Sequence, residues 1–261
     1  GVDPGKSDHR NMKLSIPLLS APYRAFSLVI LAGLAACGPA PAPQGINDPY
    51  ETENRATHAF NVALDRNILK PLSSGMGGGP VSTGIGNFAD NLGTPGDVVN
   101  NLLQVRLGRA THNTLRFAIN STIGLGGIFD PATAMGVTEK KTDFGETLHV
   151  WGVEEGAYVE LPLLGPSTQR DALGSVVDLA LDPMNYLLPR PESYVGTMAK
   201  LAAKLGDRGR YSATVDSILY DSADSYIQAR LLYLQNRRYE LGQTSGESAS
   251  FEDPYEDPYG Q

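Results

Sequence analysis

The residue whose neighbours best prepare it for chemistry is the lone cysteine, Cys37, which ends the run Leu34-Ala35-Ala36-Cys37. Small residues before a cut fit a signal peptidase. This order is the bacterial lipobox, in which the thiol takes a diacylglyceryl group and becomes residue one. A single cysteine cannot form an internal disulfide, so an exported chain that keeps one needs another use for it. The alternative is a buried thiol in an uncleaved anchor. Other reactive side chains are scattered. His58, His112 and His149 stand 37 or more residues apart, so a metal site would have to be assembled wholly by the fold. The sequence has no G-x-S-x-G elbow, no H-E-x-x-H and no Walker loop, the local signatures of acyl transfer, zinc hydrolysis and nucleotide binding. Gly84-Ile85-Gly86-Asn87-Phe88-Ala89 matches G-x-G-x-x-A, but a Gly-rich stretch precedes it where a dinucleotide fold needs a hydrophobic strand. No cofactor and no metal are expected. A carboxylate pair drawn from the many Asp and Glu residues stays open as a catalytic arrangement.

The segments around Cys37 must deliver it to a membrane. Lys13 and Arg24 precede the apolar run Ala25 to Ala36, a charged region and a short hydrophobic one, too short for an ordinary spanning helix. Met12 is the expected start, which makes residues 1–11 an upstream extension and residues 1–36 a signal peptide. Gly38 follows the cysteine, and no Asp is there to retain a lipoprotein at the inner membrane, which in a Gram-negative cell favours the outer one. Residues 37–47 read as a lipidated, Pro-rich linker, and 48–241 as the folded domain. Residues 242–261, with Glu-Asp-Pro-Tyr twice, read as a disordered acidic tail. Without residues 1–36 the chain holds 17 basic and 27 acidic residues, a formal charge of −10. That balance argues against nucleic acid and against simple adhesion to anionic lipid.

Within the domain the dominant period is helical. It predicts helices over 50–69, 97–107, 109–123, from a cap at Ser167 or Thr168 to Leu181, over 191–205 and over 222–241. Asp182-Pro183 ends the fourth of these. Residues 158–163 are the best strand candidate, and Pro162 bars them from the centre of a sheet. The fold class is mainly α, with many short amphipathic helices. Their apolar faces form either a core or a surface for acyl chains. Ile123-Gly124-Leu125-Gly126-Gly127-Ile128-Phe129 is an apolar loop with three glycines in four residues. It reads as a tight turn with positive φ or as a flexible lid or rim on a lipid route.

Several long stretches, in one order, are similar to the MlaA (VacJ) family of outer-membrane lipoproteins. They are Asn47-Asp48-Pro49-Tyr50-Glu51 with Asn54-Arg55 and Phe60-Asn61, Gly86-Asn87-Phe88 through Pro95, and Asn100 to Gln104. The densest is Arg116 to Asp130. Asp143 to Leu148, Trp151-Gly152-Val153, Tyr158 to Pro162, Gly165-Pro166-Ser167, Arg170-Asp171 and Asp182-Pro183 continue the match, with a weaker one at Asp221 to Glu240. Thr57-His58-Ala59 lacks the aromatics common in the family, and 74–80 is unusually Gly-rich. The resemblance implies a ring of helices in the inner leaflet around an amphipathic channel. It further implies phospholipid as cargo, a trimeric outer-membrane porin as partner, and a soluble periplasmic carrier as recipient. No enzyme is needed for that task. A structural porin-associated lipoprotein without transport is the second reading, and a membrane-attached lipid hydrolase the third.

Overall fold

The computed structural model describes residues 38–181 and 193–243. Cys37, the signal segment, Asp182-Pro183 and the tail from 244 onward lie outside the described residues. Helix α1 (Glu51–Leu64) carries Glu51 and Glu53 in its first turn, where the helix dipole favours anions. It runs on through a π turn (Asp65–Leu69) and a last α turn (Lys70–Ser73). Helix α2 (Pro80–Leu103) is far longer than the 97–107 expected. Pro80 opens it with φ already set for a helix, and Pro95 lies inside it. Its Gly-rich first half is poor helix former in isolation. Packing against α3 (Leu107–Thr122) and α7 (Ser193–Arg210) holds it, and such packing outweighs propensity. The G-x-G-x-x-A run is therefore helix interior, not a phosphate loop.

Two short helices follow α3. Asp130 caps α4 (Pro131–Ala134), accepting from Thr133 N–H at 3.1 Å. Asp143 caps α5 (Phe144–Val150), accepting from Glu146 N–H at 2.7 Å. The periodicity reading contained neither, because four and seven residues are too few to show a period. Then come strands β1 (Tyr158–Leu161) and β2 (Gly165–Thr168), an antiparallel pair with Tyr158 opposite Thr168. Pro162 falls in the turn between them. Thr168 heads α6 (Gln169–Leu181), its Oγ1 accepting from Asp171 N–H at 3.2 Å. After α7, α8 (Ser212–Asp216) passes into a second π turn (Ser217–Asp221). Asp224 caps α9 (Ser225–Glu240), accepting from Ile227 N–H at 3.1 Å.

The burial pattern is inverted. Among the described residues, buried polar and charged side chains outnumber buried apolar ones about two to one, while about thirty large apolar side chains stand exposed. The helical period is real, but it aims the polar face inward. On α3, Asn113, Arg116 and Asn120 are buried and Leu115 is exposed. On α1 and at the head of its π turn, Asn54, His58 and Asp65 are buried, and Phe60 is 52% exposed. On these helices the stripe of apolar residues is the outside of the molecule, whereas α9 turns Tyr226 and Leu234 inward.

Buried polar groups must be hydrogen-bonded to be tolerated, and here they are the joints. Arg116 donates to Asp130 Oδ2 at 2.7 Å, Thr133 Oγ1 at 2.8 Å and the Val137 carbonyl at 2.9 Å. Asn120 ties the same loop through Asp130 Oδ1 and Ala132 N–H. The exposed edge of β1 is completed by α1. Asn54 accepts from Glu160 N–H and donates to the Tyr158 carbonyl; Asn61 accepts from Leu163 N–H and donates to the Leu161 carbonyl. Seven helical residues rise about 10.5 Å, and three strand residues span about 10 Å. Two asparagines two turns apart thus serve as a surrogate strand.

Candidate functional site

Two chambers of about 680 and 650 Å³ adjoin inside the helical body. Gly93 and Asp97 of α2, Lys200 and Lys204 of α7, Arg237 and Glu240 of α9, and Thr142 and Asp143 before α5 line both. These residues form a waist. The first chamber adds Val99, Leu103, Leu161, Leu164 and Leu179. The second adds Asp90, Arg109, Glu139, Lys141, Glu146 and Asp207. One side of the waist is therefore largely apolar and the other densely charged. Such a space suits a molecule with an apolar part and a charged part.

Ion pairs order most of the charge. Arg237 donates to Asp143 Oδ1 at 2.7 Å and to Asp171 Oδ1 at 3.0 Å. Burial alone would raise the Asp171 carboxyl, but Arg237 and Arg170 beside it hold it down at about 2. Asp130 is likewise held at about 2, its burial overcome by Arg116, Thr133 and Asn120. Lys141 bridges Asp90 at 3.1 Å and Glu139 at 3.4 Å. Asp97 differs. It is buried, its Oδ1 accepts from Thr142 N–H at 3.0 Å, and burial pushes its carboxyl up to about 7. Burial also raises Asp178 and Glu139. No histidine or cysteine lines either chamber among the described residues.

The histidines sit elsewhere. His112 contacts the Thr138 carbonyl, and His149 is buried in α5. His58 lies between Ser225 Oγ at 3.0 Å and Glu160 Oε1 at 3.2 Å. That order matches a serine relay, but acyl transfer also needs donors waiting for an oxyanion. The two amides after Ser225, of Tyr226 and Ile227, are already turned to the Asp224 carboxylate. The relay instead bolts α1, β1 and α9 together. No group of three His, Cys, Asp or Glu able to hold a metal occurs among the described residues.

The Gly-rich segment is a turn docked on α2. Gly126 and Gly127 have φ of 75° and 99°, and Leu125 has φ 52°. Asn91 donates to the Gly126 carbonyl at 3.2 Å and Asn87 to the Ile128 carbonyl at 3.1 Å. A Cβ at Gly124 would strike the Asn120 and Phe129 carbonyls, and one at Gly127 would strike Asn91. Gly124 and Gly127 are buried; Ile123, Leu125, Ile128 and Phe129 point outward. None of residues 123–129 lines either chamber. The sequence places Asp97 and Asp143 at the heads of segments but marks none of the waist residues as a site. The available signals were Asp97 heading the apolar run Val98, Val99, Leu102 and Leu103, and the pair Lys200 and Lys204 one helical turn apart.

Known proteins share this architecture. A protein of Rickettsia felis, whose function has not been described, is 35% identical over 189 residues, covering 71% of this chain and 74% of that protein. The intermembrane phospholipid transport system lipoprotein MlaA of Haemophilus influenzae is 32% identical, covering 75% of this chain and 79% of that one. Its counterpart in Escherichia coli is 30% identical, covering 93% and 94%. A chain solved in work on the structural basis for maintenance of bacterial outer membrane lipid asymmetry superposes with a TM-score of 0.60. It is 30% identical, and the match covers 74% of this chain and 98% of that chain. The model of the MlaA lipoprotein family matches residues 46–240, and the chain belongs to that family.

Proposed function

We propose that this protein removes misplaced phospholipid from the outer leaflet of the outer membrane and passes it through its chambers to a soluble periplasmic carrier. The observation that carries this reading is the inverted burial around an amphipathic interior. Exposing large apolar side chains to water is unfavourable by roughly 25 cal/mol per Å²; hydrocarbon removes that cost. A lipid head group cannot cheaply enter hydrocarbon unshielded, and a charged chamber shields it. No described helix is long and apolar enough to cross a membrane, which fits a body lying in one leaflet. The names of the Haemophilus and Escherichia relatives support phospholipid as cargo.

The same reading assigns Cys37 as the acylated first residue, on the periplasmic side, with a trimeric porin as the partner that holds the body in place. Ile123, Leu125, Ile128 and Phe129 are its apolar rim, seated in acyl chains by the turn at Gly124, Gly126 and Gly127. The test is reconstitution of the full lipidated chain, with and without porin, in vesicles whose outer leaflet carries labelled phospholipid. Extraction to an acceptor carrier above the protein-free rate is expected. Extraction no faster than from protein-free vesicles, with folded protein present, rejects transport and leaves a structural lipoprotein.

A further inference from the structure

The waist between the chambers holds two groups of opposite charge that form no ion pair with a described residue. Of the carboxylates that line the chambers, Asp90 and Glu139 pair with Lys141, Glu146 with Arg106, Asp143 and Glu240 with Arg237. Asp207 lies 3.9 Å from Arg210. Asp178 has no cation, but both its oxygens are engaged, by Asn100 at 2.8 Å and Phe144 N–H at 2.9 Å. Asp97 forms no ion pair with a described residue, Lys141 acting on it only from a distance, and it has one engaged oxygen, the acceptor of Thr142 N–H. It is 9% exposed and lines both chambers. Lys204 of α7, which is solvent-exposed, also lines both and forms no ion pair with a described residue.

An unpaired carboxylate out of bulk water is unfavourable and tends to keep its proton; an ammonium set beside Asp97 would favour the charged form and gain an ion pair. Lys204, solvent-exposed and so free to meet an incoming anion, offers the opposite charge beside it. A ligand that brings both signs on a short tether satisfies the pair. We propose that the waist is a selective seat for a zwitterionic phospholipid head, with the phosphate on Lys204 and the ammonium on Asp97. The seat rests on the transport reading above and adds a substrate preference to it. Val99, Leu103, Leu161, Leu164 and Leu179, on the first chamber's side, then face the glycerol and the first acyl carbons. An anionic head with no ammonium would set its charge against Asp97 in a low-dielectric wall, where like charges repel strongly. Specificity of this kind is built as much from repulsion of the wrong ligand as from attraction of the right one.

The test is competitive loading of the full lipidated chain. The protein is incubated with vesicles equimolar in phosphatidylethanolamine and phosphatidylglycerol and re-purified, and its bound lipid is quantified by mass spectrometry. Wild type should carry phosphatidylethanolamine enriched severalfold over the vesicle ratio. Asp97→Asn, which keeps the shape and removes the charge, should carry the two lipids at about the vesicle ratio, with total loading largely kept. Lys204→Gln should lower the loading of both. A buried carboxylate with a merely structural role would change melting but not the lipid ratio, so the ratio separates the two. Wild type at the vesicle ratio, or enrichment that survives in Asp97→Asn, overturns the seat and leaves transport standing. Wild type that carries no lipid at all overturns transport and the seat together.

Discussion

Among the described residues, the hairpin end of this protein holds an apolar cluster inside its polar joints, and the α2–α3 end does not. Beside the hairpin, Tyr158, Tyr226 and Leu234 form a small apolar cluster with Tyr233 against it. Between α2 and α3 the groups withdrawn from water are Asn91, Asn101, Asn113, Arg116 and Asn120, while Leu115, Ile123 and Phe129 face out. The first arrangement gains from removing apolar surface from water, in proportion to area. The second gains about 1 kcal/mol net from each hydrogen bond and loses more when one partner is removed. One end is therefore finished by its own packing. On the transport reading, the other is finished by the membrane around it, and its polar interior is free to face a lipid head group.

The largest break in this comparison should come from Arg237→Ala. It strips the cation from Asp143 and one of two, Arg170 remaining, from Asp171. Removing one member of a buried ion pair costs about 3–5 kcal/mol, and urea melting in detergent should show a loss of that order. A loss below about 1 kcal/mol would mean that the polar interior is filled by mobile charge and does not hold the helices.

The pH dependence sharpens the contrast between matched and unmatched carboxylates. Asp130 and Asp171 are held at about 2. Folded protein releases those protons more readily than unfolded chain, so their contribution is full above pH 4 and is lost as pH falls through about 2. Asp97, pushed up to about 7, has the opposite sign. The folded state holds its proton more tightly, so stability falls as pH rises from about 4 to about 7. Asp97→Asn should remove that second limb and be more stable than wild type at pH 8, by on the order of 4 kcal/mol. Equal melting curves for the two proteins across pH 5 to 8 would contradict it.

Glycine substitutions probe the turn between the two environments. Gly127→Ala combines a positive φ with a collision against Asn91, and Gly126→Ala has the positive φ alone, with open space for the methyl. The left-handed conformation costs a non-glycine residue about 1–2 kcal/mol. Gly126→Ala should lose about that much, and Gly127→Ala clearly more. As a docked rim, Gly126→Ala should keep normal lipid transfer per folded molecule. Slowed transfer with unchanged melting would make the segment a moving lid.

The smallest effect on stability should come from the outer face of α3. Leu115→Ser should melt within about 0.5 kcal/mol of wild type in detergent while weakening vesicle binding. Asn113→Ala, less than one turn away on the inner face, strands Lys140 N–H and its carbonyl and should cost about 1–3 kcal/mol. If Leu115→Ser were the more damaging of the two, the assignment of inside and outside would be reversed.

The chain itself determined where most long helices lie. The 3.6-residue period survives whichever way a helix faces, so 51–69, 107–122, 169–181 and 225–240 match the reading closely. Caps set by local side chains, such as Thr168, were legible for the same reason. The first half of α2 was not, because its glycines and Pro95 argue locally for loop, and only α3 and α7 packed along it argue for helix. Helices α4 and α5 were too short to show a period.

Tertiary structure alone decided which face of each helix is inside. An amphipathic pattern is symmetrical with respect to its solvent: the same Asn113, Arg116, Asn120 and Leu115 serve a protein in water or one in hydrocarbon, and only the joined network reveals which. The waist was invisible for a related reason. Asp97, Asp143, Lys204 and Arg237 are scattered over 141 residues of sequence, without motif spacing. What makes Asp97 and Lys204 distinctive is that neither forms an ion pair with a described residue, and that property belongs to neighbours in space rather than in sequence.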